Sequence, residues 1–107
     1  MTEAEFTRTV LDTLHAHGYI VAHFRSVPIQ GKGGVYYATP VQGDEGFPDI
    51  VAARDTRPPH LLFLELKVGR NKCSPAQEEW LKVLNRKSSP ALVVRPENWQ
   101  EFVRLLE

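Results

Sequence analysis

The sequence predicts an α/β layer fold in which helices flank a central mixed β-sheet. Helical periodicity near the N-terminus, in the middle and at the C-terminus alternates with short runs of β-forming residues. The resulting order is α-β-β-β-α-β-α, with one further short strand in a glycine-rich stretch, and this alternation is typical of layered α/β proteins. The 107 residues fit a single domain spanning 1–107 with one core.

The first two elements are a helix over 2–17 and a strand over 19–24. Phe6, Val10 and Leu14 recur at helical spacing, and Gly18 provides a stop signal. Thr2 and Glu5 fit a capping box, in which each side chain bonds the other residue's backbone N–H. The stretch that follows, YIVAHF, is rich in residues that favour strands.

A glycine-rich segment of about 26–47 follows the first strand. With its two neighbours, Arg25 and Pro48, it contains five of the seven glycines and three prolines. We expect a flap-like loop with one short strand at 35–38, which would form one arm of a hairpin.

The second half of the chain is predicted to contain three strands and two helices. The strands at 49–54 and 61–68 are joined by the turn-rich DTRPPH and should pair as antiparallel neighbours. A helix over 74–86 begins at the N-cap Ser74 and carries an apolar stripe of Ala76, Trp80, Val83 and Leu84. A buried strand at 91–94 precedes a last helix that turns Trp99, Phe102, Val103 and Leu106 inward.

The strand at 61–68 ends in charged residues. Alternation places Leu61, Phe63, Glu65 and Lys67 on one face, so the charges should emerge where the strand leaves the core. A Glu65–Lys67 ion pair would explain them without any function. Antiparallel pairing would also bring Asp49 beside Glu65, and two converging carboxylates favour a hard divalent ion such as Mg²⁺ or Mn²⁺.

Composition restricts the cellular compartment and the kinds of binding partner that we expect. The single cysteine, Cys73, cannot form an internal disulfide, and the acidic N-terminus has no signal-peptide pattern, so we expect a cytoplasmic protein. No apolar run is long enough to span a membrane. Net charge is zero, with 13 basic and 13 acidic residues, which is low for a protein that binds nucleic acid through a broad basic surface.

Five segments together resemble the VRR-Nuc family of virus-type replication and repair nucleases, within the PD-(D/E)XK nuclease superfamily. They are the first helix with Glu5, GFPD at 46–49, LELK at 64–67, SPAQ at 74–77 and the ending VVRPENW. The spacing of 16 positions from Asp49 to Glu65, and then 12 to Gln77, suits that family.

This resemblance implies a restriction-endonuclease-like core and a Mg²⁺- or Mn²⁺-dependent endonuclease acting on DNA. Asp49, Glu65 and the backbone carbonyl of Leu66 would be metal ligands, and Glu5 would join them directly or through water. Lys67 would orient or activate the attacking water, as an electrostatic clamp or as a proton acceptor, and Gln77 would brace the site.

Several of these residues also have structural explanations. Gln77 completes an S-x-x-Q capping box with Ser74, just as Glu5 completes one with Thr2. His23 is more often a structural residue than a catalytic one at such a position. Candidate DNA contacts are cations that could equally be solvated or cap a sheet edge: Arg25, Arg70, Lys72 and Arg95.

The sequence therefore predicts a DNA nuclease. Its substrate would be duplex DNA or branched DNA such as four-way junctions, and the processes it could serve are replication, DNA repair and phage packaging. A homodimer would place two cleavage centres on such a symmetric substrate. The main alternative is a catalytically silent domain of the same fold that binds nucleic acid or protein. The glycine-rich stretches lack the GK[ST] ending of a phosphate-binding loop, which argues against a nucleotide cofactor.

Overall fold

The computed structural model describes residues 1–24, 27–39 and 42–107. Within these ranges ten elements follow one another: α1 (Glu3–Ala16), β1 (Ile20–His23), β2 (Val27–Gly31), β3 (Gly34–Ala38), β4 (Ile50–Ala53), β5 (Leu61–Leu66), α2 (Pro75–Leu84), β6 (Ala91–Val94), a 3₁₀ turn (Pro96–Asn98) and α3 (Trp99–Leu106). The predicted α/β class is confirmed, with one strand more than the sequence predicted.

The central sheet has four strands in the order β1-β4-β5-β6. β4 pairs antiparallel with both β1 and β5, as the short turn between β4 and β5 predicted. β6 pairs parallel with β5, which requires the crossover that α2 supplies. The sheet is therefore mixed.

Helices cover both faces of this sheet. On one face, Leu62 and Leu64 of β5 are fully buried in a core shared with Phe6 of α1 and Phe102 of α3. On the other face, the ring of Phe63 packs through a neighbouring aromatic residue against α2. Alternation along β5 thus sends Leu62 and Leu64 into the main core, and Phe63 and Glu65 towards α2.

The predicted capping boxes form at both helix starts. In α1, the Thr2 hydroxyl accepts from Glu5 N at 3.1 Å, and the Glu5 carboxylate accepts from Thr2 N at 3.2 Å. In α2, Ser74 and Gln77 make the same exchange at 3.2 and 2.9 Å. These bonds satisfy backbone N–H groups that a helix start leaves without intrahelical partners.

The apolar stripe predicted for α2 is only partly covered. None of its residues is fully buried, and Val83, a member of that stripe, is 57% exposed. α2 packs on the edge of the sheet near β6 and leaves one apolar flank open. No helix in the described part of the chain is long and apolar enough to cross a membrane.

The glycine-rich segment contains a separate two-stranded sheet. β2 and β3 pair antiparallel from Val27–Ala38 to Gly31–Gly34, so the short strand predicted at 35–38 has its hairpin partner. Val35, Tyr36 and Tyr37 are more than half exposed on it. Arg25, one of the predicted DNA contacts, lies outside the described residues.

Arg54 is a buried cation that joins the ends of two helices. Its guanidinium donates to the carbonyl of His17 at the end of α1, at 2.8 Å, and to that of Leu106 at the end of α3, at 2.9 Å. It also lies 4.3 Å from the ring centroid of Tyr19. Because helix C-termini carry partial negative charge, one arginine stabilises both ends and fixes the two helices relative to the sheet.

Candidate functional site

The β4–β5 register brings two acidic residues together. Ile50 pairs with Leu64, so the next residue outward on each strand is Asp49 on one and Glu65 on the other. Opposite residues of an antiparallel pair share a face, with Cβ atoms about 5 Å apart. The Asp49 Oδ2 atom also accepts a hydrogen bond of 2.8 Å from Leu66 N, which fixes its carboxylate beside β5.

Glu65 is buried rather than emerging from the core as the sequence predicted, with 2% of its surface exposed. Glu65 is buried because the side chains of Gln77 on α2 and of Lys67, just after β5, cover it. Gln77 Nε2 donates to Glu65 Oε2 at 3.1 Å, and Lys67 Nζ lies 3.4 Å from the same oxygen. The other oxygen, Oε1, is buried and has no hydrogen-bond partner among the described residues.

Burial in this position changes the acidity of Glu65. Loss of solvation and the charge of Asp49 raise the pKa of Glu65 to about 7, against the opposing effect of Lys67. At neutral pH the carboxyl group is therefore balanced between its protonated and ionised forms. A positive charge placed next to both carboxylates would favour ionisation.

The residues before Asp49 explain the shape of the site. Gly46 has φ +94°, and a Cβ there would lie 2.6 Å from the backbone carbon of Ala76. Only glycine allows the loop to come this close to the start of α2. Pro48 is fully buried, so the chain enters β4 with Asp49 held at a fixed position.

Phe47 is the aromatic centre of this region. Its ring makes edge contacts with Phe24, Phe63 and Trp80, at centroid distances of 5.6, 6.2 and 5.0 Å. The Trp80 indole N–H also donates to the carbonyl of Glu45 at 2.9 Å. These contacts join the loop, β5 and α2 into one wall, a role for Phe47 that the sequence did not predict.

The site opens into a cleft of about 440 Å³. Among its lining residues are Asp49, Glu65, Leu66, Lys67 and Gln77, so the structure brings these five predicted site residues together. Lys67 keeps 15% of its side-chain surface exposed. The amine is therefore accessible from the cleft while remaining beside Glu65.

Glu5 does not line this cleft, whereas Glu3 does. The Glu5 side chain bonds back to Thr2, so the structure leaves it in its capping role. Glu3 lies three residues before Phe6 and seven before Val10, on the side of α1 that faces inward. Extending the buried stripe back by one turn would have identified Glu3 from the sequence.

Gln77 holds both of the roles considered for it. Its backbone and side chain complete the capping box with Ser74, and its amide nitrogen also donates to Glu65. An amide has one acceptor oxygen and two donor hydrogens, so one group can serve both contacts. The capping box thereby fixes the orientation of the residue that holds Glu65.

The predicted cationic contacts fall into two groups. Arg70 and Lys72 are exposed on the loop between β5 and α2, although neither lines the cleft. The guanidinium of Arg95 donates to the carbonyls of Gly69 at 3.4 Å and Asn71 at 2.7 Å. Arg95 therefore braces the loop that carries the other two cations.

The donor set fits a hard divalent cation. No third carboxylate, histidine or cysteine within the described ranges completes a three-residue cluster with Asp49 and Glu65. Mg²⁺ commonly binds through only one or two carboxylates and retains several waters. The unsatisfied Oε1 atom of Glu65, next to a second carboxylate, is the kind of oxygen that such an ion would complete.

The four-stranded mixed sheet places the paired acids beside a lysine in an α/β domain whose family match is of the nuclease type. Residues 41–98 match the family model of the VRR-NUC domain, which is more than half of the chain. The chain belongs to the VRR-NUC domain family. The match begins after α1, so both Glu3 and Glu5 lie outside it.

Among solved structures, one described as a VRR_NUC domain protein matches with 26% sequence identity and a TM-score of 0.43. The alignment covers 60% of this chain and 57% of that chain. The chain therefore aligns with little more than half the length of that protein. Comparison with curated proteins finds no significant match.

Replacing Gly46 by alanine should destabilise the protein more than the same change at Gly43. Both glycines have positive φ, at +94° and +109°, but a Cβ at Gly43 meets nothing within 4 Å. Gly43→Ala therefore reports backbone strain alone, about 1 kcal/mol. Gly46→Ala adds a collision with the α2 backbone, so thermal unfolding should show a clearly larger loss in Tm. Equal losses at the two positions would contradict the close approach.

The metal-free protein should gain stability as pH falls from 7.5 to 5.5, relative to Glu65→Gln. The folded pKa of Glu65 is about 7 and its ordinary value is 4.5, so the folded state binds more protons between them. The ionised form therefore costs stability as pH rises through this window, on the order of 2 kcal/mol between pH 5.5 and 7.5. Thermal unfolding in EDTA measures the difference, which corresponds to a Tm change on the order of 10 °C.

Glu79→Gln is the matched control, because it neutralises an exposed carboxyl group on α2. The pH profile of this variant should stay parallel to that of the wild-type protein. If Glu65→Gln also runs parallel to wild type, Glu65 does not titrate in this range.

Proposed function

We propose that this protein is a divalent-metal-dependent DNA nuclease that hydrolyses phosphodiester bonds in the cleft. The observation that carries the proposal is the buried Glu65 carboxylate, which faces Asp49 and leaves Oε1 without a partner. A carboxylate in such a place is costly unless a cation compensates it. Membership of the VRR-NUC family, whose domain is a nuclease domain, supports the proposal.

Asp49 and Glu65 would hold Mg²⁺ or Mn²⁺, with the backbone carbonyl of Leu66 as a further ligand. Glu3, which lies on the cleft, replaces Glu5 as the candidate from α1 and would act through a bound water, since it forms no three-residue cluster with the two acids within the described ranges. When bound, the ion would acidify a water molecule and neutralise charge on the phosphate. Each carboxylate already has one oxygen anchored by the protein, and this anchoring orients the pair.

Lys67 and Gln77 prepare the site in different ways. Lys67 Nζ, beside Glu65 and open to the cleft, places a positive charge where a phosphate would enter. It would orient the attacking water or stabilise the charge that develops on the phosphate. Gln77 donates to Glu65 Oε2 and so directs the other oxygen away from α2. Gln77 is thus a positioning residue in this proposal.

The substrate we propose is DNA, with branched molecules such as four-way junctions as a preferred form. Arg70 and Lys72 stand on an exposed loop beside the cleft, held by Arg95, and would contact phosphates on one side of the site. A small domain with zero net charge gains a larger binding surface by pairing. We therefore also propose a homodimer with two cleavage centres.

The wild-type protein should cleave a labelled four-way junction and plain duplex with Mg²⁺ or Mn²⁺, and EDTA should abolish cleavage. Asp49→Asn and Glu65→Gln should remove activity together with Mn²⁺ binding in isothermal calorimetry, because they remove the proposed ligands. Lys67→Ala should retain Mn²⁺ binding and lose roughly 100-fold or more in cleavage rate.

Lys82→Ala is the control, since it removes an exposed lysine from the last turn of α2. Its cleavage rate should equal that of the wild-type protein. DNA binding without cleavage in any metal would instead support the alternative, a catalytically silent domain. Cleavage that survives both Asp49→Asn and EDTA would show that another activity is responsible.

The homodimer is tested by sedimentation velocity at micromolar concentration, with and without junction DNA. A dimer that persists on dilution and carries the junction-cleaving activity is expected. A fully active monomer would refute this part of the proposal.

A further inference from the structure

A groove continues from the cleft along the outer side of α1. One cavity, of about 340 Å³, borders Asp49 and extends to Thr7 and His23. The next, of about 550 Å³, shares Thr7 and His23 with it and continues over Arg8 and His15. The cleft, His23 and the far end of α1 are therefore parts of one continuous depression, here called the α1 groove.

The wall of the α1 groove follows a single flank of the helix. Its helical members are spaced three and four residues apart: Ala4, Thr7, Arg8, Leu11, Asp12 and His15. Eleven steps of 1.5 Å separate the first from the last, so the groove runs for about 16 Å.

The side chains along the groove include three hydrogen-bond donors that are free to contact a ligand. Arg8, His15 and His23 are exposed, and within the described ranges none of them forms a salt bridge or a side-chain hydrogen bond. Arginine and histidine are suitable contacts for phosphate oxygens. Two carboxylates, Glu3 near the cleft and Asp12 farther along, also line the groove and oppose an anion there.

A polymeric substrate must continue beyond the bond that is cut. A strand whose phosphodiester lies at Asp49 has to leave the cleft on both sides, and the α1 groove is an open path that starts at the same residue. A protein ligand would have no comparable reason to begin at the metal-binding carboxylates. Continuity with the cleft, together with the exposed Arg8 guanidinium and the two exposed imidazoles, therefore favours a nucleic-acid strand as the occupant.

We propose that the α1 groove binds the DNA strand that passes through the cleft, with Arg8 and His23 contacting its phosphates. This inference rests on the proposed function, since the occupant is the nuclease substrate. It assigns DNA binding to residues that lie on the opposite side of Asp49 from the loop of Arg70 and Lys72. The cleft then lies between two sets of phosphate contacts rather than beside one.

Fluorescence polarisation with single-stranded DNA of 4 and 12 nucleotides tests the inference, with Ca²⁺ in place of Mg²⁺ to suppress cleavage. The wild-type protein should bind the longer strand more tightly, because only that strand fills both the cleft and the groove. Arg8→Ala/His23→Ala should lose most of this length dependence. The slope of log Kd against log salt should also fall by about 0.7 for each phosphate contact removed.

Two further variants test whether a change in DNA affinity is specific to the charges in the α1 groove. Arg104→Ala/Lys87→Ala removes two exposed cations that line neither the cleft nor the groove, and it should bind both strands as the wild type does. Asp12→Asn removes a carboxylate from the groove and should tighten binding of the 12-nucleotide strand only. Wild-type affinity and salt slope in the Arg8→Ala/His23→Ala variant would overturn the inference.

A small diester separates this inference from the proposed function. Bis(p-nitrophenyl) phosphate fits the cleft but cannot reach the groove, so Arg8→Ala/His23→Ala should hydrolyse it with Mn²⁺ at the wild-type rate. The same variant should cut long DNA more slowly at low DNA concentration. Failure of the wild-type protein to hydrolyse either substrate would count against the proposed function alone, since groove binding is measured without catalysis.

Discussion

The carboxyl group of Glu65 is buried, and one of its oxygens has no hydrogen-bond partner among the described residues. Burial of such a group costs solvation free energy, and the elements around it determine how that cost is offset. β5 carries it out of the main core, α2 places Gln77 over it, and β4 brings Asp49 to its side. A folded chain tolerates such a group only where protonation or a cation compensates it. Here Lys67 Nζ, 3.4 Å from Oε2, and the pKa of Glu65, raised to about 7, supply that compensation.

The loop from Gly46 to Asp49 connects this electrostatic arrangement to the packing. Gly46 lets the chain pass close to α2, Phe47 fills the space between α2 and the sheet, and Asp49 follows at the start of β4. Pro48, between the last two, is fully buried, so packing contacts on Gly46, Phe47 and Pro48 determine where Asp49 lies.

The sequence could predict the pairing of Asp49 with Glu65, because strand alternation and a short connection between β4 and β5 determine that register. It could not predict how deeply Glu65 is buried, since this depends on how α2 packs across the sheet. The same packing leaves Val83 exposed and gives Trp80 a partner in the Glu45 carbonyl. Sequence periodicity shows which helix face is apolar, but it does not show how much of that face the sheet covers.

The choice between Glu3 and Glu5 shows a second limit of the same kind. Glu5 fits a local capping pattern, and local hydrogen bonds hold it there. Glu3 reaches the cleft because the buried stripe of α1 faces the sheet, which is a tertiary property. A glutamate in the first turn of a helix can either cap the helix or extend towards a neighbouring cleft. Which of the two it does depends on whether its side of the helix faces the sheet.

The two tryptophans lie in separate parts of the molecule, and this makes them independent optical probes. Trp80 adjoins the cleft loop through its indole N–H, while Trp99 packs between Phe6 and Phe102 near the main core. Emission from Trp80 would follow rearrangements of the loop that carries Phe47, and emission from Trp99 would follow the docking of α1 against α3. Single-tryptophan versions of the chain would thus distinguish motion at the cleft from loosening of the helical layer.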